Sequence, residues 1–286
     1  MRTALLLAPL VVVLGGLFGG ALALAVAQSL GFAPWFGVRA FPDPSHFAAL
    51  WGSGAFWASL GLTLGYAGAA TLGALALGTA LALALGRAFR GRGAARAALR
   101  VPLVVPYTVG IALAVVMLGN GGVLARAGAA LGLLADPGDF PRILHTHAGW
   151  GVIAVYVWKQ APFVMLVVGA GLAGMGRETR EAAATLGAGP WTTFRLVTLP
   201  QIVPALTTAA LISLAFNVGA FEAPFILGGG HPDTLPVLAW RDFNDADYTR
   251  QLRGMAAVVS LVIVAGAILG VWLLLYRRWE RRVGRA

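Results

Sequence analysis

Long apolar stretches separated by short polar ones dominate the pattern of hydrophobic positions along this chain. No charged residue occurs between Arg2 and Arg39, and none occurs from Phe56 to Leu85. A helix rises about 1.5 Å per residue, so about 20 apolar residues cross a hydrocarbon core of about 30 Å. The pattern predicts six helical spans, at residues 4–27, 56–85, 101–118, 150–175, 202–227 and 254–276. We find no repeat of fixed period, and we therefore expect residues 1–286 to form one all-α transmembrane domain.

Prolines and glycines modify this picture locally. Pro102 and Pro106 are expected to break the third span near its start, because proline removes a backbone donor and disfavours helix in the residue before it. The stretch from Gly228 to the acidic residues 242–247 is expected to form an outer loop.

The first apolar run, residues 4–27, is open to two interpretations, a cleaved signal peptide or a retained helix. At 24 residues it exceeds an apolar signal region of about 7 to 15 residues, which favours the retained helix.

The basic residues indicate the orientation of the chain. Five arginines lie between Arg87 and Arg100, and five lie between Arg277 and Arg285. The six-span topology places 14 of the 21 basic residues on one side, 6 on the other and Lys159 inside a span. Because cytoplasmic loops carry an excess of Lys and Arg, both termini and residues 176–200 are predicted to be cytoplasmic. An anionic-lipid or nucleic-acid patch is the alternative for the 87–100 cluster, but topology explains it more simply, and no nucleic-acid partner is expected.

Composition supports a membrane protein and excludes several kinds of site. Hydrophobic residues make up 59% of the chain, charged residues make up 11%, and the mean hydropathy is +0.81. Without cysteine there is no disulfide framework and no thiolate metal site. Lys159 is the sole lysine and lacks the preceding glycines of a phosphate-binding P-loop, so this chain does not carry that nucleotide site. His145 and His147 would supply only two ligands of a metal site, and no third ligand is close to them in the sequence. We therefore expect interfacial histidines and no metal.

The segment between the fourth and fifth spans is too polar for lipid and has helix-forming structure of its own. Residues 180–186 favour a helix, and Gly187 and Gly189 are able to end it. Pro190 is well placed as the first residue of a second short helix. Three apolar residues at intervals of three predict one apolar stripe on that helix, namely Trp191, Phe194 and Val197. Pro200 disfavours helix at the residue before it and is expected to stop the segment.

This segment resembles the EAA loop of permease subunits of ATP-binding-cassette importers. That loop has a Glu-Ala-Ala start, a glycine four residues after the second alanine, and an Ile-x-Leu-Pro end. This chain has Glu181-Ala182-Ala183, Gly187 and Val197-Thr198-Leu199-Pro200, with valine in place of the isoleucine. The resemblance implies the type I importer permease fold, in a multi-pass protein of the prokaryotic inner membrane.

The resemblance also implies the partners and their contacts. A second permease subunit, identical or different, two ATPase subunits and an extracytoplasmic binding protein are expected. ATP and Mg²⁺ would be bound by the ATPase, so this chain is expected to be a transport subunit without a catalytic site or cofactor. The loop would dock on the ATPase, with Glu181 as the charged contact and Gly187 as the hinge. The packing surface would consist of Ala182, Ala183, Trp191 and Phe194, and the loop would end at Leu199 and Pro200.

The candidate pathway residues are polar groups inside apolar spans: Lys159, Asn217 and Glu222. Residues 220–238 resemble, less specifically, permeases for spermidine/putrescine, iron and thiosulfate. A carboxylate in the pathway at Glu222 would attract a cation and disfavour an anion such as thiosulfate, so a polyamine or ferric ion is the expected substrate. The alternative for Glu222 is a solvated position near the outer surface, or a structural pair with Lys159 or with the partner subunit. A secondary transporter or channel that uses Lys159 and Glu222 as an ion relay is the alternative function. The inverted repeats expected of many such proteins are not evident, and no His-Glu-x-x-His or Gly-x-Ser-x-Gly motif supports an intramembrane enzyme.

Overall fold

The structure is a computed structural model that describes residues 2–86, 89–175, 183 and 185–283. Its α-helices are α1 (Arg2–Val11), α2 (Gly20–Ser29), α3 (Ser45–Trp51), α4 (Gly54–Gly86), α5 (Arg92–Val104), α6 (Tyr107–Leu118), α7 (Val123–Ala130), α8 (Trp150–Ala173), α9 (Pro190–Thr193), α10 (Leu199–Gly219), α11 (Glu222–Leu227), α12 (Leu235–Phe243) and α13 (Tyr248–Val283). π-helical turns at Val12–Gly19 and Phe194–Thr198 connect α1 to α2 and α9 to α10. Two short strands, β1 (Phe32–Ala33) and β2 (Val38–Arg39), pair antiparallel.

Six helical stretches in this described part of the chain are long and apolar enough to cross a membrane. They are Leu6–Ser29, Gly54–Gly86, Tyr107–Ala130, Trp150–Ala173, Pro190–Gly219 and Tyr248–Arg278. The prediction of an all-α protein with six transmembrane helices is therefore confirmed. The fourth stretch is the most enclosed, because 61% of its most apolar 18-residue segment is buried. In the first stretch, none of the corresponding segment is buried.

One of the two prolines in the third predicted span interrupts it. Val105 and Pro106 have ψ angles of 127° and 150°, so α5 ends and α6 begins around them. Proline disfavours helical conformation in the residue before it, which explains the break at Val105. Pro102 lies inside α5 and does not break it, contrary to expectation.

The fifth span differs from its predicted course at both ends. The helix ends at Gly219 and not near residue 227, because Ala220 is extended with a ψ of 132°. Glu222 consequently lies in the first turn of a separate six-residue helix, α11. The predicted stop at Pro200 is also wrong, since the chain stays helical from Pro190 to Gly219. Pro200 is the second residue of α10, just after the π-helical turn that ends at Thr198, and both prolines and π-helical turns are usual sites of local distortion within a continuing helix.

The chain forms two compact units, of which the larger comprises Leu64–His231 and Leu269–Ala286. Its core lies where α4, α8 and α10 pack together, and its buried members include Ala74, Val164, Val168, Leu172, Ile202 and Ala209. The backbones of α4 and α8 approach closely. A Cβ on Gly78 would lie 2.6 Å from the carbonyl oxygen of Ala161, and one on Gly73 would lie 2.7 Å from Val157. These two glycines are therefore required by the packing, as small residues often are between membrane helices.

The smaller unit comprises Met1–Thr63 and Pro232–Ile268 and is organised around α12. The buried residues of its core are Leu50, Phe56, Leu235, Ala239, Ala256 and Ala257. The hydroxyl oxygen of Thr63 accepts a hydrogen bond of 2.7 Å from the amide of Leu235, at the start of α12. Arg253 donates two hydrogen bonds of 2.8 Å to Asp242, near the end of α12. A buried helix thus occupies part of the sequence for which only a loop was predicted.

Candidate functional site

The segment that resembles the EAA loop contains a defined helix end. Glu181 and Ala182 lie outside the described residues, and Ala183 is buried. Gly187 has a φ of +74°, and the amide of Ala188 donates a hydrogen bond of 3.0 Å to the carbonyl oxygen of Ala183. A bond between residues five apart around a left-handed glycine is the Schellman arrangement that closes helix C-termini. Gly187 therefore ends a helical turn, as its sequence context predicted, while its role as a hinge stays a prediction.

The second part of the segment begins at Pro190, the first residue of α9, as predicted. Trp191 is 70% exposed, and its ring centroid lies 5.6 Å from that of Phe194 with the ring planes tilted by 31°. Phe194 and Val197 are half-buried. The predicted stripe is thus exposed mainly at Trp191, while its other two members are turned partly into the protein.

Two further apolar side chains extend the exposed part of this segment. Leu186 is 87% exposed and Leu196 is 67% exposed. We call Leu186, Trp191 and Leu196 the loop surface. An exposed group of large apolar residues on a polar segment is typical of an interaction site. Sequence periodicity missed Leu196 because the π-helical turn that begins at Phe194 changes the helical repeat.

A cleft of about 780 Å³ lies beside α9 in the larger unit. Trp191 and Phe194 form one side, and the ends of α4 and α8 form another. The first turns of α5 contribute positive charge, from Arg92, Arg96 and Arg100. Residues four apart lie on the same face of a helix, so the guanidinium groups share this cleft.

A cluster of hydrogen-bonded polar side chains is buried among the spans of the larger unit. Gln160 donates to the side-chain oxygen of Asn217 at 2.5 Å, and Asn217 donates to Gln160 at 3.2 Å and to the hydroxyl of Thr71 at 3.1 Å. All three residues are buried. Buried amides need hydrogen-bond partners in the absence of water, and here the partners lie on different helices. The cluster therefore links α4, α8 and α10. Asn217 was predicted from the sequence, whereas Gln160 and Thr71 were not, although the adjacent Lys159 and Gln160 mark a polar position in an apolar span.

Lys159 is held by backbone oxygens at the break between α5 and α6. Its ammonium group donates to the carbonyl oxygen of Pro102 at 2.6 Å and also to that of Val105. The nitrogen lies 4.7 Å from the centroid of the Tyr107 ring, within the range of a cation–π interaction. These contacts satisfy a buried charge to which no carboxylate of the described residues is paired.

The three candidate pathway residues occupy different environments. Lys159 and Asn217 lie in neighbouring buried groups, joined through Gln160. Glu222 is exposed in the first turn of α11, which packs against α6 and α8. No ion pair joins Glu222 to Lys159, both of which the structure describes. The structural pair considered for Glu222 is therefore not formed within this chain, and the pathway assignment stays a prediction.

The histidines near the fourth span have backbone contacts. The carbonyl oxygen of His147 accepts a hydrogen bond of 2.9 Å from the hydroxyl of Tyr66, and the amide of His145 donates to the carbonyl oxygen of Leu227. Within the described ranges, no three His, Asp or Glu side chains are grouped so as to hold a metal ion. The segment therefore connects Tyr66, inside α4, to the end of α11.

Comparison with known proteins agrees with this architecture. The molybdenum transport system permease protein ModB of Azotobacter vinelandii is 30% identical over 226 residues, which cover 79% of this chain and 93% of the relative. The probable ABC transporter permease protein y4oQ of Sinorhizobium fredii is 35% identical over 193 residues, which cover 66% of this chain and 61% of the relative. The chain thus spans less than two thirds of the length of y4oQ but nearly all of ModB.

A solved structure shares the fold. A chain in the crystal structure of a bacterial ABC transporter involved in the import of the acidic polysaccharide alginate superposes with a TM-score of 0.78. The two chains are 23% identical, and the superposition covers 97% of this chain and 95% of the other. Residues 74–285 match the family described as the binding-protein-dependent transport system inner membrane component. Because this match covers most of the chain, the protein belongs to that family of ABC-importer permeases.

Proposed function

We propose that this chain forms half of the translocation pathway of an ATP-driven importer, and that residues 176–200 couple it to an ATPase subunit. The unbroken helical stretch from Pro190 to Gly219 carries this proposal. At 1.5 Å per residue its 30 residues extend about 45 Å, comparable to the thickness of a membrane. The loop surface lies near one end of this stretch, and Asn217 lies near the other.

A displacement of the loop surface would reach the interior through packed contacts. Asn217 is hydrogen-bonded to Gln160 on α8 and Thr71 on α4, so movement of α10 acts on two further spans. α8 and α10 also pack closely, since a Cβ on Gly171 would lie 3.2 Å from the Cβ of Ala205. A stiff element connected to a hydrogen-bonded cluster is suited to switch between two arrangements that nucleotide binding biases.

The chemistry of the loop surface suits docking into a cleft of the ATPase. Trp191 is a large exposed anchor of the kind that dominates protein interfaces, and Leu186 and Leu196 extend it. Glu181 is proposed as the charged contact and Gly187 as the hinge. ATP and Mg²⁺ would be held by the ATPase, because the sole lysine of this chain is bonded to backbone carbonyls inside a span.

The remaining partners follow from the family. A second permease subunit would complete the pathway, and an extracytoplasmic binding protein would deliver the substrate. The proposed orientation places both termini and residues 176–200 in the cytoplasm, by the excess of basic residues on that side. The protein would then reside in a prokaryotic inner membrane.

The substrate is the least constrained part of the proposal. The names of these proteins refer to molybdenum for ModB and to alginate for the structural neighbour. Neither name supports the polyamine or ferric ion that the weaker resemblance suggested. We therefore propose to test anions first, with molybdate and alginate oligosaccharides compared directly with spermidine in vesicles that contain the complete importer.

Coupling is tested by substrate-stimulated ATP hydrolysis of the reconstituted complex. Trp191→Ala removes the anchor, and loss of such an anchor typically weakens docking by roughly tenfold or more. Gly187→Val forces a β-branched residue into a left-handed conformation. Trp150→Ala is the matched control, because Trp150 is 60% exposed but lies at the start of α8, far from the segment in sequence.

We expect both loop variants to insert normally and to lose stimulation, while the control keeps it. Full stimulation in both loop variants would exclude the segment as the coupling element. Transport by the chain without any ATPase would contradict the importer itself and favour an ion relay through Lys159 and Glu222.

A further inference from the structure

The cleft beside α9 holds positive charge that the proposed function does not use. Arg92, Arg96 and Arg100 line it, and no ion pair is recorded between any of them and an acidic residue of the described chain. The Nε atom of Arg92 is buried without a hydrogen-bond partner. Arg96 makes only a long hydrogen bond of 3.5 Å, from Nη2 to the carbonyl oxygen of Leu85. The guanidinium groups are thus arranged for an anion that the described residues do not supply.

The position of the cleft indicates where that anion comes from. Its apolar wall includes Leu83 of α4 and Leu172 of α8, which lie in the last turns of transmembrane spans. Leu99 of α5 packs against the core of the larger unit, while the arginines of the same helix face the cleft. α5 is therefore amphipathic and lies at the boundary between the hydrocarbon and water, where arginine stems and headgroups meet.

We propose that this cleft binds the headgroup of an anionic phospholipid. The phosphate would lie between the guanidinium groups, whose planar pairs of donors match phosphate oxygens. The acyl chains would lie along the apolar wall formed by α4 and α8. A volume of about 780 Å³ is ample for a headgroup and the first part of its chains. Basic pockets between membrane helices are known to bind lipid headgroups in this manner.

The lipid would also contact the segment proposed to couple the chain to the ATPase. Trp191 and Phe194 line the same cleft as the arginines, so a bound headgroup lies against α9. A ligand that prefers one arrangement of a mobile element shifts its population toward that arrangement. Anionic lipid is therefore a ligand of the permease that is able to set the position of the loop surface.

The test is lipid retention by the purified full-length chain in mild detergent, measured by native mass spectrometry. The probes are phosphatidylglycerol and, as the zwitterionic comparison, phosphatidylcholine of the same acyl composition. The test variant is R92Q/R96Q/R100Q. The matched control is R277Q/R278Q/R281Q, which removes the same charge from exposed positions of α13. We expect the test variant to bind phosphatidylglycerol at least about tenfold more weakly, since each basic residue near a membrane contributes substantially to anionic-lipid binding.

The control variant should bind like the native chain, and phosphatidylcholine retention should not change in any protein. R92K/R96K/R100K keeps the charge and should recover most of the binding, which separates loss of binding from misfolding. Equal retention by all variants would overturn the proposal. Displacement of the lipid by millimolar sulfate or phosphate would also overturn it, in favour of a free anion. The assay involves neither ATPase nor transport, so its outcome is independent of the proposed coupling.

Discussion

Lys159 donates a hydrogen bond of 2.6 Å to the carbonyl oxygen of Pro102, which receives no backbone hydrogen bond from residue 106 because that residue is proline. In an uninterrupted helix the amide four residues later would occupy that oxygen, and proline has no amide hydrogen. Lys159, which lies on α8, therefore supplies the donor that the backbone of α5 lacks. The end of α5 also carries the negative pole of its dipole, which favours a cation there.

The first prediction concerns this replacement. Lys159→Met keeps the apolar stem but leaves the oxygen of Pro102 without a partner. A buried acceptor left unsatisfied costs about 1–3 kcal/mol, so we expect a lower unfolding temperature in detergent. The control is the same substitution in a Pro106→Ala background, where a backbone amide becomes available. We expect the loss to be smaller there, and equal losses in both backgrounds would show that the carbonyl is not what Lys159 stabilises.

The second prediction concerns the amide pair of the buried cluster. Gln160→Leu removes one partner of Asn217, and Asn217→Leu removes one partner of Gln160. Each is expected to destabilise by about 1–3 kcal/mol, because the remaining amide stays buried with an unmade hydrogen bond. The double variant removes both and should cost less than the sum of the two. Additive losses in chemical denaturation would mean that the two amides act independently.

The third prediction compares two arginine–aspartate pairs of α13. Arg253 bonds to the buried Asp242, whereas Arg250 bonds at 2.8 Å to the more exposed Asp245. Arg253→Met leaves a buried carboxylate unpaired and should cost about 3–5 kcal/mol, while exposed pairs contribute about 0–1 kcal/mol. Arg250→Met is therefore the matched control, with the same change of charge on the same helix. Similar unfolding temperatures for the two variants would contradict the role of the Asp242 pair in holding α12.

The fourth prediction concerns acid. The pKa of Asp245 is lowered because its carboxylate accepts a hydrogen bond from the backbone amide of Asp247 and another from Arg250. A carboxyl with a lowered pKa stabilises the folded state above its unfolded value of about 3.9 and loses that contribution as the pH falls through the folded value. We expect Asp245→Asn to flatten the decline of the unfolding temperature below about pH 4. An unchanged decline in this variant would show that other groups cause it.

The fifth prediction concerns Glu222. Since its side chain is exposed and forms no pair with Lys159, Glu222→Gln should leave the unfolding temperature and the assembly unchanged. If Glu222 lines the pathway, as we expect, the initial rate of uptake into vesicles should change. The control is Asp247→Asn, an equally small change at an exposed carboxylate outside the spans. Equal uptake in both variants and the native chain would remove Glu222 from the pathway.

Local chemistry was sufficient for much of this architecture. Runs of more than about 20 apolar residues have few alternatives to a membrane helix, so the six spans were predictable. Gly187 and Pro190 were also predictable, because a left-handed helix end favours glycine and a first helical turn tolerates proline.

Contacts distant in sequence explain what was missed. The spacing of Pro102 and Pro106 shows that one carbonyl lacks its amide, and the lone Lys159 is a spare donor, but nothing local pairs them across 57 residues. α12 was assigned to a loop because turn and acidic residues surround it. Its burial arises from packing against Leu50 and Phe56, and a sequence pattern does not reveal such tertiary contacts.

The close approach of α4 and α8 has a consequence for how freely this sequence is able to vary. Gly65 and Gly68 have no atom within 4 Å of an added Cβ, so alanine is accommodated at both positions within the chain itself. At Gly73 and Gly78 the same methyl group would collide with α8. In a library of random substitutions screened for membrane insertion and stability, α4 should therefore show a sharp boundary. Glycine would be replaceable at Gly65 and Gly68 and retained at Gly73 and Gly78, although all four residues belong to one helix with one composition.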